Sequence, residues 1–132
     1  MVLIRNSLSC NYSSLSAELY AIYLTIVLIC SSTIDHHQSL IATDSLSAVK
    51  ILQNYQSRSM HPIGKIILRQ LHSRSNLQVT LAWIPGHKGI PGNNLADTAA
   101  KEVTRINPVP NTATPLSDIR GIIYQRITHQ WQ

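Results

Sequence analysis

Three carboxylates in this sequence have surroundings that suit hydrolytic chemistry. Glu18 lies at the start of an apolar stretch, Asp44 follows the short apolar run 39–43, and Asp97 follows a segment rich in glycine and proline. Because ligands of open α/β sheets gather where strands end, we expect the three acids to meet at one edge of a sheet. Bare carboxylates repel one another, and divalent cations remove that repulsion. Oxygen ligands favour Mg²⁺ or Mn²⁺ over zinc.

The chemistry that such a cluster supports is phosphodiester hydrolysis, since two ions about 4 Å apart hold both the attacking and the leaving oxygen. His87, on a glycine-flanked loop, can carry protons near neutral pH. Each residue also has a plainer explanation when it is taken singly. A Glu in a first helical turn is a partner for the helix dipole, an Asp after a strand is often a helix cap, and a loop histidine can simply face solvent.

Composition and charge narrow the class of protein. With 132 residues, 44% hydrophobic and 13% charged, the chain fits one folded domain and not a disordered tail or a coiled coil. The net charge of +5 is uneven: residues 58–105 hold seven Lys or Arg against two acids. A basic middle indicates a polyanionic partner. The candidate phosphate contacts, for which a solvated helix face is the alternative, are Lys65, Arg69 and Arg74 on one helix and Lys88 in the loop.

The elements that must position these residues alternate between strands and helices. The predicted order is strand, helix, strand, helix, helix, strand, helix, which is an α/β layer with a partly parallel sheet. The predicted strands are 2–12, 39–43 and 77–84, and the predicted helices are 14–30, 45–56, 62–74 and 95–105. A turn at 85–92, a linker at 107–115 and a last helix at 116–131 complete the prediction.

Several details of packing and capping follow from the pattern. Ser14 or Ser16 is expected to cap the first helix with Glu18 in its first turn, and Asn93 or Asn94 to cap the helix that carries Asp97 in its first turn. The first helix is apolar on nearly every side and should be deeply packed. Trp83 is expected in the core beneath the glycine loop.

The compartment is expected to be intracellular, cytoplasm or nucleus. The longest apolar run, residues 19–30, is shorter than the roughly 20 residues of a membrane span, and the N-terminus lacks the pattern of a secretion signal. Cys10 and Cys30 do not make a disulfide scaffold. We therefore expect no membrane association.

Three segments together resemble a known family. They are residues 16–22 (SAELYAI), 43–45 (TDS) and 83–97 (WIPGHKGIPGNNLAD), the last being long and specific. They resemble the type 1 ribonuclease H domain, and more narrowly that of non-LTR retrotransposon polyproteins of the kind found in arthropods. The resemblance covers roughly residues 2–105 and implies a five-stranded mixed sheet flanked by helices. It predicts one domain over residues 1–106, followed by the linker and C-terminal helix of residues 107–132.

The resemblance implies a metal-dependent endonuclease that cuts the RNA strand of an RNA–DNA hybrid. It assigns Glu18, Asp44 and Asp97 as the second, third and fourth acids of a site with two Mg²⁺ or Mn²⁺ ions, and His87 as the loop histidine that assists proton transfer and product release. The expected partner is the hybrid, bound by a monomer or by part of a larger polyprotein.

The sequence also departs from the family pattern. No Asp or Glu precedes Glu18, so the strand that bears the family's first acid is expected to be missing and the domain to be truncated at its N-terminus. Asn94 stands where the family often has Glu.

Two other functions stay open. One is a catalytically inactive remnant that at most binds nucleic acid, which three acids out of four would favour. The other is an integrase-like nuclease on the same fold, against which the segment 86–97 argues. Cleavage of an RNA–DNA hybrid, or binding without cleavage, separates the enzyme from the remnant.

Overall fold

The computed structural model describes residues 8, 12–32, 38–103, 114–120 and 123. These residues belong to two compact units. The sheet unit is Ser14–Ile84, and the loop–helix unit combines Met1–Ser13 with Pro85–Gln132. The predicted strand at 2–12 and the predicted linker at 107–115 lie largely outside the described residues.

The sheet unit contains three helices and two strands. Its elements are α1 (Ser14–Ser31), β1 (Gln38–Thr43), α2 (Leu46–Gln53), α3 (Pro62–His72) and β2 (Gln78–Trp83). In the described part of the chain, β1 and β2 form a two-stranded parallel sheet whose register runs from Gln38↔Gln78 to Thr43↔Trp83. Parallel neighbours need a crossover connection, which α2 and α3 supply. The α/β prediction is confirmed, with strand and helix order as expected over these residues.

Helix α1 supplies much of the core of the sheet unit. It contains no glycine or proline, and its buried residues recur every three or four positions, so they share one face. That face packs against α3, α2 and β1. The buried apolar side chains of the unit are Leu19, Ile22, Ile26, Cys30, Ile41, Ala48, Val49, Met60, Ile63 and Ile67.

The expectation of deep packing, drawn from the apolar residues on nearly every side of α1, holds for one face only. Only one face is buried, and Leu28 on another face is 40% exposed. Among the described residues, α1 is the one helix that is long and apolar enough, by length and composition alone, to cross a membrane. A core helix passes the same test, and the buried face of α1 is that of a core helix.

Helices α2 and α3 begin at well-defined caps. Ser45 caps α2, because its hydroxyl accepts a hydrogen bond from the Ala48 N–H at 3.3 Å. Helix α3 begins with Pro62 in its first turn, as predicted, and His61 is its cap. Both helices end earlier than predicted: α2 ends at Gln53 and α3 ends at His72, so Arg74 lies beyond the end of α3.

The loop–helix unit contains α4 (Pro91–Val103), of which Ala99 and Val103 are buried. The helix begins at Pro91, four residues before the predicted start at 95. Proline suits the first turn of a helix, since its missing N–H would have no partner there. Asn93 and Asn94 are therefore helical residues and not caps. Residues 116–120 and 123 are helical, in agreement with the predicted last helix over the residues that are described.

Candidate functional site

Asp44 lies directly after β1, in the turn that leads into α2. The Ser45 N–H donates to Thr43 Oγ1 at 3.2 Å, and the Leu46 N–H donates to the Asp44 carbonyl oxygen at 3.1 Å. The parallel ladder ends beside it, where the Ile84 N–H donates to the Thr43 carbonyl at 2.9 Å. The main chain around Asp44 is therefore held on both sides, and the residue is half-buried at the carboxyl end of the strand, the position that the sequence predicts.

Trp83 contacts the same turn, and the sequence prediction placed it wrongly. The indole Nε1–H donates to the Asp44 carbonyl oxygen at 3.1 Å, and the residue is 49% exposed instead of buried beneath the loop. Alternation of apolar residues in β2 predicts a buried position. The feature of the sequence that could have indicated this contact is the indole N–H, since tryptophan N–H groups usually donate to a polar partner.

Glu18 lies in the second turn of α1 and is half-buried. The prediction of a first-turn carboxylate is wrong, because the helix already begins at Ser14 and its first turn holds no acid. Ser16, predicted as a possible cap, is instead fully buried inside the helix. Its hydroxyl lies 3.0 Å from Nε2 of His61.

His61 therefore ties α1 to α3. Its Nδ1 accepts a hydrogen bond from the Ile63 N–H at 3.3 Å, so in the neutral ring the proton lies on Nε2, which donates to the Ser16 hydroxyl. This link fixes α1 two residues before Glu18. His61 followed by Pro62 is typical of a helix entrance, but no pattern in the sequence indicates that His61 itself is the cap or that it contacts Ser16, because histidine is an uncommon helix cap.

His87 and Asp97 are brought together within the loop–helix unit. Nδ1 of His87 lies 3.2 Å from Oδ2 of Asp97, and the two side chains are 82% and 30% exposed. Asp97 is the seventh residue of α4 and lies in its second turn, so the first-turn prediction is wrong for it too. His87 has φ of 55° and Gly89 has φ of 76°, so both occupy the left-handed region. Glycine adopts this conformation freely, whereas in histidine it is uncommon and places a small strain at the loop.

The predicted basic residues differ in their surroundings. Lys65 and Arg69 are exposed and one helical turn apart on α3, and Lys88 is exposed next to His87. The prediction that Arg74 lies on the same helix is wrong, because the residue lies in the turn after α3. Its guanidinium donates to the carbonyl oxygen of Cys30, at the end of α1.

The donor chemistry of the three acids suits a hard divalent cation, since carboxylate oxygens are what such ions prefer. Among the residues that the structure describes, however, no group of three or more His, Cys, Asp or Glu side chains is placed to hold a metal ion. Of the predicted catalytic residues, the structure thus shows His87 and Asp97 in contact. The metal site of Glu18, Asp44 and Asp97 stays a prediction.

Comparison with known protein families finds a family model that covers all of these residues. The family model described as RNase H matches residues 4–105, which is most of the chain. The matched range contains every residue to which the sequence assigned a catalytic or binding role, and also Ser16, His61 and Trp83.

Proposed function

The chain belongs to the RNase H family, and from that premise we propose that it hydrolyses the RNA strand of RNA–DNA hybrids. The family consists of hydrolases that act as endonucleases, binds RNA–DNA hybrids and uses divalent metals. The observation that carries the proposal is the match over residues 4–105, since that range holds the Asp44 turn and the pair of His87 and Asp97. The 2′-hydroxyl distinguishes RNA from DNA in such a substrate.

In this proposal the required carboxylates are Glu18, Asp44 and Asp97, and the cofactor is Mg²⁺ or Mn²⁺, two ions being the number expected from the resemblance. Their support is their position in the three segments that resemble the family, together with the preference of these ions for carboxylate oxygens. When bound, such ions stabilise the charge that develops on the phosphate.

His87 has the geometry of a proton carrier. Its Nδ1 faces the carboxylate of Asp97, which in its ionised form can only accept a hydrogen bond, so the neutral ring carries its proton on Nδ1. Nε2 is then the atom that takes up and releases a proton. The side chain is mostly exposed, and Nε2 is therefore open to exchange with water.

Phosphate binding is proposed for the basic residues of the central region. Lys65, Arg69 and Lys88 are exposed cations that can contact the nucleic-acid backbone. Arg74 uses a donor on the Cys30 carbonyl and keeps its remaining N–H groups for phosphate.

The wider context is also proposed. The length of the motif at 83–97 supports an origin in a non-LTR retrotransposon polyprotein, with the chain acting as a monomer or as part of that polyprotein. A hybrid substrate places its action inside the cell, in cytoplasm or nucleus, without a membrane partner. The match over residues 4–105 supports the proposal of one domain over residues 1–106, and the segment at 107–132 lies outside the match.

The test is cleavage of an end-labelled RNA–DNA hybrid in the presence of Mg²⁺. The wild-type chain should cut the RNA strand and leave duplex RNA and duplex DNA intact, and Asp44→Asn should abolish cutting while hybrid binding persists. Glu102→Gln, which removes an exposed carboxylate of α4 outside the three motif segments, is the matched control and should cut normally. Binding without cleavage by the wild type would establish the inactive remnant instead.

A further inference from the structure

Trp83 holds the main chain of Asp44 from the neighbouring strand. Its indole N–H donates to the Asp44 carbonyl oxygen at 3.1 Å, directly beyond the last main-chain bond of the ladder, from Ile84 N–H to the Thr43 carbonyl. The side chain of Trp83 therefore adds a hydrogen bond to β1 beyond the end of the main-chain ladder.

The Asp44 carbonyl oxygen is shared between two elements. It accepts the Leu46 N–H at 3.1 Å as well as the indole N–H. The first bond belongs to the turn that starts α2, and the second comes from the end of β2. Because both bonds converge on one oxygen, the indole contributes to the orientation of the Asp44 peptide together with the Leu46 N–H.

Trp83 does not have the burial of a residue that only fills the core. With 49% of its surface exposed, it contributes less apolar burial than a core tryptophan would, and its polar atom points at the acid-bearing turn. Thr43, its partner in the register, is buried and fixes the backbone on the other side of Asp44.

We infer that Trp83 is a positioning residue for the reaction, which acts through its N–H by fixing the main chain from which the Asp44 carboxylate projects. The inference rests on the proposed hydrolysis of hybrids. According to this inference, the indole N–H affects the rate of the chemical step, and the apolar ring does not. Loss of this bond removes the contact between β2 and the Asp44 carbonyl, so the peptide moves over a wider range and the carboxylate spends less time in the productive orientation.

The experiment compares two replacements of Trp83 in the full chain. One is 3-benzothienylalanine, which keeps the shape of the indole and replaces N–H by sulfur, and the other is Trp83→Phe. In both, kcat for hybrid cleavage should fall about five-fold or more while KM changes by less than about two-fold. Tyr55→Phe, which removes a hydroxyl from an exposed aromatic residue, should leave both constants unchanged.

A second measurement keeps the inference testable if the wild-type chain does not cleave. Amide hydrogen exchange at Leu46, whose N–H shares the Asp44 oxygen, should become about five-fold faster in the benzothienylalanine protein, with no change at Ile67 in the core. A benzothienylalanine protein with wild-type kcat, or one with unchanged exchange at Leu46, overturns the inference. Absence of cleavage by the wild type, with faster exchange at Leu46 in the variant, overturns the proposed function and leaves Trp83 as the anchor of this turn.

Discussion

His87 combines an exposed imidazole with a backbone conformation that few residues adopt. Its φ of 55° lies in the left-handed region, where a β-branched side chain is strongly strained and where asparagine and histidine occur more readily than most. Such strain persists only where the surroundings fix it, and it clusters at functional sites. The contact of Nδ1 with Asp97 at 3.2 Å is the fixing interaction that the structure shows.

Replacing His87 by asparagine separates chemistry from conformation. Asn accepts the left-handed backbone but has no ring nitrogen that can take up and release a proton, so we expect His87→Asn to melt at the wild-type temperature and to cleave the hybrid about 100-fold more slowly. Single-turnover cleavage and thermal melting measure the two effects. His72→Asn, at an exposed histidine in the last turn of α3, is the control and should keep the full rate. Wild-type cleavage by His87→Asn would remove His87 from the mechanism.

At the residue scale, the sequence predicts identities better than contacts. The motif at 83–97 singles out both His87 and Asp97, and the structure pairs them. Alternation in β2 predicts that Trp83 is buried in the core, because the alternating pattern counts tryptophan as an apolar residue and ignores its N–H. No pattern indicates the contact between Ser16 and His61, since it joins residues 45 positions apart.

The helices of the sheet unit depend on single side chains at their starts. Ser45 satisfies an N–H of α2 that has no partner within the helix, and it lies next to Asp44. Ser45→Ala should therefore lower the free energy of unfolding by about 1 kcal/mol in urea titrations. Ser47→Ala, at an exposed position inside α2, should change it by less than about 0.5 kcal/mol. Equal effects of the two substitutions would show that the cap contributes nothing.

The link from His61 to Ser16 joins two helices through one imidazole. His61→Ala removes both the cap of α3 and the partner of a buried hydroxyl, so it should destabilise the unit by about 2 kcal/mol. A double-mutant cycle with Ser16→Ala, followed by urea unfolding, should give a coupling energy of about 1 kcal/mol. Additive effects of the two substitutions would contradict the hydrogen bond.

Element boundaries were less predictable than element order. The order of α1, β1, α2, α3, β2 and α4 follows from periodicity, and all six elements are present. The start of α4 was misplaced because the proline and glycine at 91–92 are typical of a turn, whereas proline at a helix start is equally favourable. Apolar residues on nearly every side of α1 predict deep packing, but the depth of packing depends on which elements lie against the helix. The sequence of the helix alone does not contain that information.

At the scale of the whole molecule, the excess positive charge lies in one region of the sequence. The net charge of +5 arises from residues 58–105, and two of these cations, Lys65 and Arg69, are exposed one turn apart on α3. A protein that neutralises phosphates releases counterions from the nucleic acid. The logarithm of its affinity therefore falls linearly with the logarithm of the salt concentration, and the slope is proportional to the number of phosphate contacts.

Removing both cations of α3 should reduce the salt dependence of binding. We expect Lys65→Gln with Arg69→Gln to lower the slope of log affinity against log salt by about 2, as measured by fluorescence anisotropy with a hybrid. Lys50→Gln with Arg58→Gln removes the same charge from exposed positions outside α3 and should change the slope by less than about 0.5. Equal slopes for the two double variants would assign the effect to net charge alone.

The parallel pairing of β1 with β2 also constrains how the protein is made. Every rung joins residues 40 positions apart, from Gln38 with Gln78 to Thr43 with Trp83. During synthesis, β1 leaves the ribosome well before its partner exists, and no rung between the two can close until the crossover has emerged. Asp44 is therefore among the last parts of the sheet unit to acquire its final surroundings, and a ribosome stalled before residue 78 holds a chain without this ladder.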